Sequence, residues 1–128
     1  MPLYTLACKR PLPQSVREAV TSAITQTHCE VTDAPPEFVN VIFMDGYSLK
    51  NGWRIGVVGG VRSGGNRNPE LIKKLHQALL ENICSAAKLP IGKVGIELVG
   101  VKANWVMEGG KILPEPGEED NWMKKTKQ

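Results

Sequence analysis

Aromatic side chains and long apolar runs are scarce in this sequence of 128 residues, of which only 5% are aromatic. No stretch approaches the roughly 20 apolar residues that a membrane-spanning helix requires. The N-terminus lacks a basic cluster followed by an apolar core, which is the pattern of a secretory signal peptide. We therefore expect a single soluble domain over residues 1–128, located in the cytoplasm, with no membrane partner.

Cysteine is also scarce, and its pattern excludes several kinds of site. Cys8, Cys29 and Cys84 are irregularly spaced and form no Cys-x-x-Cys pair. Such cysteines are typical of small buried apolar residues. His28 and His76 add no metal-ligand spacing to them, so we expect no metal site and no other cofactor.

Charge of one sign is not in excess either, since the net charge is +3. The basic residues are spread along the chain, apart from Lys124, Lys125 and Lys127 in a tail that also carries acidic residues. Nucleic-acid binding needs a basic patch, and binding of single strands also needs aromatic residues for stacking. The sequence therefore predicts no nucleic-acid partner.

What the sequence does contain is one structural unit written twice. Residues 1–50 hold an apolar run from Leu3 to Cys8, a helix that begins after the proline-rich segment 10–13, and an alternating strand around Val41. Residues 51–101 repeat this order with a strand at 54–58, a helix and a second alternating strand. The second helix has good start residues and is followed by a strand with apolar residues at every other position: Asn68, Pro69 and Glu70, then Val94, Ile96 and Leu98.

Two tandem β-α-β units predict an α/β (α+β) fold with a four-stranded mixed sheet and both helices on one face. The other face is not polar, because Gly95, Glu97, Val99 and Val101 share it in the last strand. An apolar second face favours burial by oligomerisation. Residues 102–128 form a C-terminal loop and tail, and we expect the part from Pro114 onward to pack loosely or on a neighbouring subunit.

Pro2 is the first candidate for chemistry. Removal of Met1, which a small second residue permits, would leave a rigid secondary amine at the start of the first strand. An α-amino group titrates at about 7.7–8.0, and nearby arginines or carboxylates would tune it as a base or an acid. Proline at position two is common, so this residue alone does not indicate catalysis.

Three further features contain functional residue types. Arg62 and Arg67 lie on a glycine-rich segment, 59–67, which we interpret as a loop before the second helix and as a cradle for a carboxylate. Glu108 lies among apolar neighbours and precedes two glycines, which suits an acid or a base. His28 continues the apolar stripe of the first helix, where histidine is more often a structural residue.

Taken in order along the chain, these residues resemble the tautomerase superfamily, and most of all its cis-3-chloroacrylic acid dehalogenase group. The resemblance covers the chain to about Trp122. It is carried by three segments, which are Ala23-Ile24-Thr25 leading to His28, Val61-Arg62 leading to Arg67, and Met107-Glu108 leading to Leu113-Pro114-Glu115-Pro116-Gly117.

The resemblance implies a homotrimer of doubled β-α-β subunits whose sheets face one another. It implies that Pro2 is the catalytic amine and that Glu108 activates water. It also implies that Arg62 and Arg67 bind the substrate carboxylate and that His28 assists in substrate binding. Two departures stand out: Glu97 lies where the group has tyrosine, and Gly64-Gly65 lengthens the arginine segment.

Three functions remain open at this point. The first is hydration or hydrolytic dehalogenation of a small unsaturated carboxylate of the 3-haloacrylate type. The second is keto–enol tautomerisation of a 2-hydroxy-dienoate or a phenylpyruvate-type substrate, which needs only Pro2 and the arginines. The third, from another class, is a non-catalytic trimeric binding module.

Overall fold

The computed structural model describes residues 1–126, so residues 127 and 128, the end of the predicted tail, lie outside the described part. The main elements form two layers, with a four-stranded sheet under two long helices, as the tandem units predict. The strands and helices are β1 (Leu3–Cys8), α1 (Gln14–Thr32), β2 (Asn40–Met44), β3 (Ile55–Ser63), α2 (Pro69–Ala87) and β4 (Val94–Lys102).

The strand order β2-β1-β3-β4 decides which parts of the chain meet. Within each unit the two strands are parallel and are joined by a helix, whereas β1 and β3 run antiparallel. Because Leu3 pairs with Gly60, the N-terminus lies at the end of the sheet where β3 finishes. This end, called the Pro2 end below, is also where β4 and α1 finish and where α2 begins.

The core lies between the helices and the inner face of the sheet. Side chains alternate along β1 and β3, so every second residue points inward and is buried. Complete burial of one such aliphatic side chain contributes about 1.5–3 kcal/mol. The fully buried residues of this core are Tyr4, Leu6, Val20, Ile24, Ile55, Leu75, Leu79 and Ile83.

The predicted start of the second helix is confirmed in atomic detail. The side chain of Asn68 accepts a hydrogen bond of 2.8 Å from the backbone N–H of Leu71, and Pro69 is the first helical residue. The first helix has no such cap.

The outer face of the sheet has apolar side chains that are exposed to solvent in the described part of the subunit. One residue of the predicted outward set differs, because Gly95 is buried beneath the ring of Trp53. The large apolar side chains exposed on this face are Leu3, Ile42, Met44, Val58 and Val99. Their exposed fractions of 38–48% are high for side chains of this kind.

The predicted loop 59–67 is wrong over its first half, because β3 continues to Ser63. This strand is central, and it pairs with β1 on one side and with β4 on the other. The two ladders satisfy its backbone and outweigh the weak strand preference of Gly59 and Gly60. Arg62 therefore projects from a strand, and only the following four residues form a turn.

The C-terminal segment after β4 makes contacts within its own subunit, whereas the expected packing on a neighbouring subunit stays a prediction. It forms a hairpin of β5 (Met107–Glu108) and β6 (Lys111–Ile112), followed by α3 (Glu119–Thr126). The indole N–H of Trp122 donates to the carbonyl of Ile112 at 2.9 Å, and its ring meets Phe38 edge-on at 5.9 Å. No helix among residues 1–126 is long and apolar enough to cross a membrane.

Candidate active site

The N-terminal amine lies at the Pro2 end of the sheet. In the chain that retains Met1 this amine forms an ion pair with the carboxylate of Glu108. Burial, followed by the charge of Arg62, lowers the pKa of the amine from 8.0 to about 6, and the adjacent carboxylate opposes that shift. Pro2 itself is buried, and its carbonyl accepts a 3.0 Å hydrogen bond from the N–H of Asn40.

A tight hairpin holds Glu108 in this position. Gly109 and Gly110 form its two-residue turn with φ of +58° and +77°, a geometry that favours glycine at both positions. Glu108 pairs with Lys111 across the hairpin, and its side chain is 33% exposed. The carboxylate is thus anchored by backbone pairing while it remains open to water.

His28 projects from the last turns of α1 and is buried. The Tyr4 hydroxyl lies 2.7 Å from its Nδ1, whereas its buried Nε2 has no hydrogen-bond partner among the described residues. Burial, then the charges of Arg67, Arg62 and the N-terminus, lowers the pKa of His28 to about 3, so the ring is neutral. Burial also raises the pKa of Tyr4. The phenol therefore donates to Nδ1, and we assign the ring proton to Nε2.

Arg62 is the more deeply buried of the two arginines. Its Nη2 donates to Oε1 of Glu119 at 2.7 Å, its Nη1 donates to the carbonyl of Pro114 at 2.5 Å, and it lies over the ring of Phe38. The side chains of Arg62 and Glu119 are 1% and 7% exposed, so this ion pair is shielded from water. Glu119 was not predicted from the sequence, because its partner Arg62 lies 57 positions away along the chain.

Arg67 follows a turn whose backbone requires glycine, with φ of +91° at Gly64 and +56° at Gly65. Its Nη1 donates to the carbonyl of Thr32 at 3.1 Å and to the side chain of Asn66. Both acceptors are neutral, and the buried Nε has no hydrogen-bond partner among residues 1–126. Burial first, and then the charge of Arg62, lowers the pKa of Arg67.

The structure thus brings together the five residues selected from the sequence at the Pro2 end. The amine contacts Glu108, and both arginines and the N-terminus act electrostatically on His28. Glu97 is not among them, because it lies exposed on β4 opposite Val58. Tyr4 joins the site without having been predicted. Its signal in the sequence was a polar hydroxyl at an inward position of β1.

Chemically, this arrangement combines an amine of low pKa, a carboxylate, two guanidinium groups and a neutral imidazole. Guanidinium groups and an imidazole N–H suit a carboxylate ligand, and the amine–carboxylate pair suits proton transfer. No group of three or more His, Cys, Asp or Glu side chains within residues 1–126 is arranged to hold a metal ion.

Solved structures show which known proteins this chain is similar to. A crystal structure of N1, a member of the cis-3-chloroacrylic acid dehalogenase family, is 26% identical and superposes with a TM-score of 0.87. The match covers 96% of this chain and 91% of that one. This likeness confirms that the chain resembles the tautomerase superfamily and, within it, the cis-3-chloroacrylic acid dehalogenase group.

More distant structures share the tautomerase fold alone. An asymmetric trimer of a fused 4-OT is 15% identical, with a TM-score of 0.75 over 87% of this chain and 95% of that one. A protein crystallised after inactivation by 2-oxo-3-pentynoate is 20% identical, with a TM-score of 0.71 over 87% and 96%. No protein-family model matches the sequence, and no curated protein matches it either.

Proposed function

We propose that this chain is a cofactor-independent enzyme that adds water to a small unsaturated carboxylate of the 3-haloacrylate type. Its catalytic amine is that of Pro2, freed by removal of Met1. One observation carries the proposal, namely that the amine of Met1, one residue before Pro2, contacts the Glu108 carboxylate beside two arginines and a neutral histidine. The likeness to a member of the cis-3-chloroacrylic acid dehalogenase family supports the same chemistry.

In the proposed reaction, Arg62, Arg67 and the Nε2–H of His28 hold the substrate carboxylate. Arg62 is able to contribute because its two protein hydrogen bonds use only part of its five N–H donors. Glu108 takes a proton from water, whose oxygen bonds to the β-carbon, while the protonated amine of Pro2 delivers a proton to the α-carbon. Where the β-carbon has a halogen, the adduct then expels halide, so hydration becomes hydrolytic dehalogenation.

Tautomerisation is the second candidate, and the low pKa of the amine favours it. Burial and the charge of Arg62, which lower the pKa of the Met1 amine to about 6, would act in the same direction on the amine of Pro2 and favour its neutral form. A neutral amine is the base that a keto–enol tautomerase needs. Glu108 has the opposite effect, because a carboxylate in contact favours the protonated amine that hydration requires.

We also propose that the functional unit is a homotrimer. The apolar outer face of the sheet, on which Leu3, Ile42 and Val99 are exposed, supports this assembly because contact between subunits would bury it. The trimeric fused 4-OT has the same fold. A trimer without catalysis, acting as a binding module, is the alternative from another class, and retention of Met1 in the natural protein would favour it.

The test is a pair of absorbance assays on three proteins, preceded by an intact-mass measurement that shows whether Met1 is removed. One assay follows hydration of a propiolate or a 3-haloacrylate, and the other follows ketonisation of a phenylpyruvate-type enol. Glu108→Gln keeps the shape and removes the base, so we expect it to lower hydration by about 10²–10⁴-fold and to spare most tautomerase activity. Pro2→Ala, which leaves a primary amine, should damage both activities.

A matched control is Glu118→Gln, which makes the same chemical change at an exposed glutamate of the tail and should leave both activities at the parental level. If Glu108→Gln hydrates at the parental rate, Glu108 has no role in activating water and only the tautomerase remains. Parental activity of Pro2→Ala in both assays would show that Pro2 is not the catalytic amine, and a parent inactive in both assays would favour the binding module.

A further inference from the structure

We propose that Glu119 is a specificity-determining residue, which pairs with Arg62 so that the arginine pair retains one uncompensated positive charge and selects monocarboxylates over dicarboxylates. This inference rests on one part of the proposed function, namely that the arginines bind the substrate carboxylate. It does not depend on what the amine and Glu108 do to the bound molecule.

The pairing removes the charge of Arg62 as a separate attraction for an anion. Its guanidinium group contacts Oε1 of Glu119 at 2.7 Å, and both side chains are more than nine-tenths buried. A pair that is shielded in this way is little screened by salt, so the positive charge is compensated at all times. Arg62 still presents N–H donors, but it does so as a nearly neutral group.

Arg67, in contrast, has no acidic partner in hydrogen-bond contact among the described residues, and Glu119 and Asp33 act on its charge only through space. Its Nη1 contacts two neutral oxygens, and its buried Nε has no hydrogen-bond partner among residues 1–126. The neutral His28 has a second buried nitrogen without a partner in the same part of the chain. The Nε of Arg67 and the Nε2 of His28 therefore both lack a hydrogen-bond partner, next to a positive charge that no contact compensates. One carboxylate group of a ligand could accept both hydrogen bonds and compensate this charge.

The carboxylate of Glu119 is held in place by its own contacts, so a substrate carboxylate does not displace it from Arg62. Its second oxygen accepts the N–H of Gly117 at 2.8 Å, and the next turn of α3 is anchored by Trp122 against Phe38. Displacing Glu119 would require this packing to open. Its negative charge therefore stays in the site when substrate binds.

A second carboxylate on the ligand would enter surroundings that already contain Glu119 and Glu108. After the first carboxylate has compensated Arg67, no positive side chain of the arginine pair remains to attract it. Like charges at close range in a partly buried site repel each other, and desolvation adds to the cost. The second charge should therefore weaken binding, although it would strengthen binding to a site with two free arginines.

The experiment compares butanoate with succinate, which have the same four-carbon chain and carry one and two charges at neutral pH. Neither molecule has a double bond or an enol, so neither reacts by the proposed chemistry, and binding is measured separately from catalysis. Ligand-observed NMR titration of the full-length protein gives both dissociation constants. For the parent we expect butanoate to bind at least as tightly as succinate.

Three variants test the assignment. Glu119→Gln removes the compensating charge, and we expect the ratio of the two affinities to move towards succinate by about tenfold or more, equivalent to ~1.4 kcal/mol. Glu119→Asp keeps the charge and should keep the parental preference. Glu118→Gln removes an exposed charge next to it, and it controls for the change in net charge.

Circular dichroism of each variant shows whether it folds. The proposal is overturned if folded Glu119→Gln keeps the parental ratio, or if it binds both anions more tightly by the same factor. The second result would mean that Glu119 merely competes for Arg62. Should Glu119→Gln fail to fold, the two dissociation constants of the parent test the proposal. A parent that binds succinate more tightly than butanoate contradicts the assignment of a single uncompensated positive charge. Failure of the hydration and tautomerase assays would leave these binding results unchanged.

Discussion

Replacing the two arginines by alanine, one at a time, should produce two different defects. Arg62 is 1% exposed and paired with Glu119, so Arg62→Ala leaves a buried carboxylate without its cation. Arg67→Ala removes only hydrogen bonds to neutral oxygens within the protein and leaves no charge unpaired by hydrogen bonding. We expect Arg62→Ala to affect mainly folding and Arg67→Ala to affect mainly substrate affinity.

The magnitudes are large enough to separate the two effects. Breaking a buried ion pair from one side costs about 3–5 kcal/mol, which for a chain of this size lowers Tm by roughly 10 °C or more. Arg67→Ala loses ordinary hydrogen bonds worth about 1 kcal/mol in stability. A charge-assisted bond to substrate is worth about 1.5–3 kcal/mol, so Arg67→Ala should raise KM about 10- to 100-fold.

Thermal unfolding followed by circular dichroism gives Tm, and steady-state kinetics with a small carboxylate substrate gives KM. The double variant Arg62→Ala/Glu119→Ala removes both charges and should recover part of the stability lost in Arg62→Ala, since no unpaired charge remains. The explanation is wrong if Arg67→Ala lowers Tm as much as Arg62→Ala does. It is equally wrong if the double variant is less stable than Arg62→Ala.

Three further outcomes are expected. In protein that retains Met1, the N-terminal amine, whose pKa burial and Arg62 lower from 8.0 to about 6, should react with an acylating reagent with a midpoint near pH 6. The unfolded chain binds more protons between these values, so this group makes stability rise with pH across that window, as urea denaturation would show. His28, with its pKa near 3, should show no NMR titration of its ring between pH 5 and 8, and its contribution to stability is lost as pH falls below 6.5. Light scattering should find a trimer, and a stable monomer of 14.0 kDa would contradict the proposed assembly.

The sequence predicted the features that depend on local pattern. The apolar alternation of β1, the stripe of α1 and the Asn68 cap each depend on residues within a few positions of one another. That Pro2, His28 and Arg62 share one site was implied by the resemblance to a known group and not by local pattern. The order of chemical residue types along the chain, compared with a known group, supplied their roles.

Features that depend on distant pairing escaped prediction. The extension of β3 through Gly59 and Gly60 depends on strands on both sides, and the residues themselves favour a turn. The role of Glu119 depends on how α3 docks, which a tail rich in proline, glycine and charge does not indicate. Tyr4 was seen only as an apolar strand residue, because its hydrogen bond to His28 crosses 24 positions of the chain.

The pairing of Arg62 with Glu119 also has a consequence for synthesis on the ribosome. The two residues are 57 positions apart, so Glu119 emerges well after Arg62. Until Glu119 has emerged, β3 must expose Arg62 or bury it without a counter-ion, so the nascent sheet is less stable until α3 has been made. A chain cut short before α3 would keep this lower stability permanently, and cellular proteases would find it more often unfolded than the full-length protein.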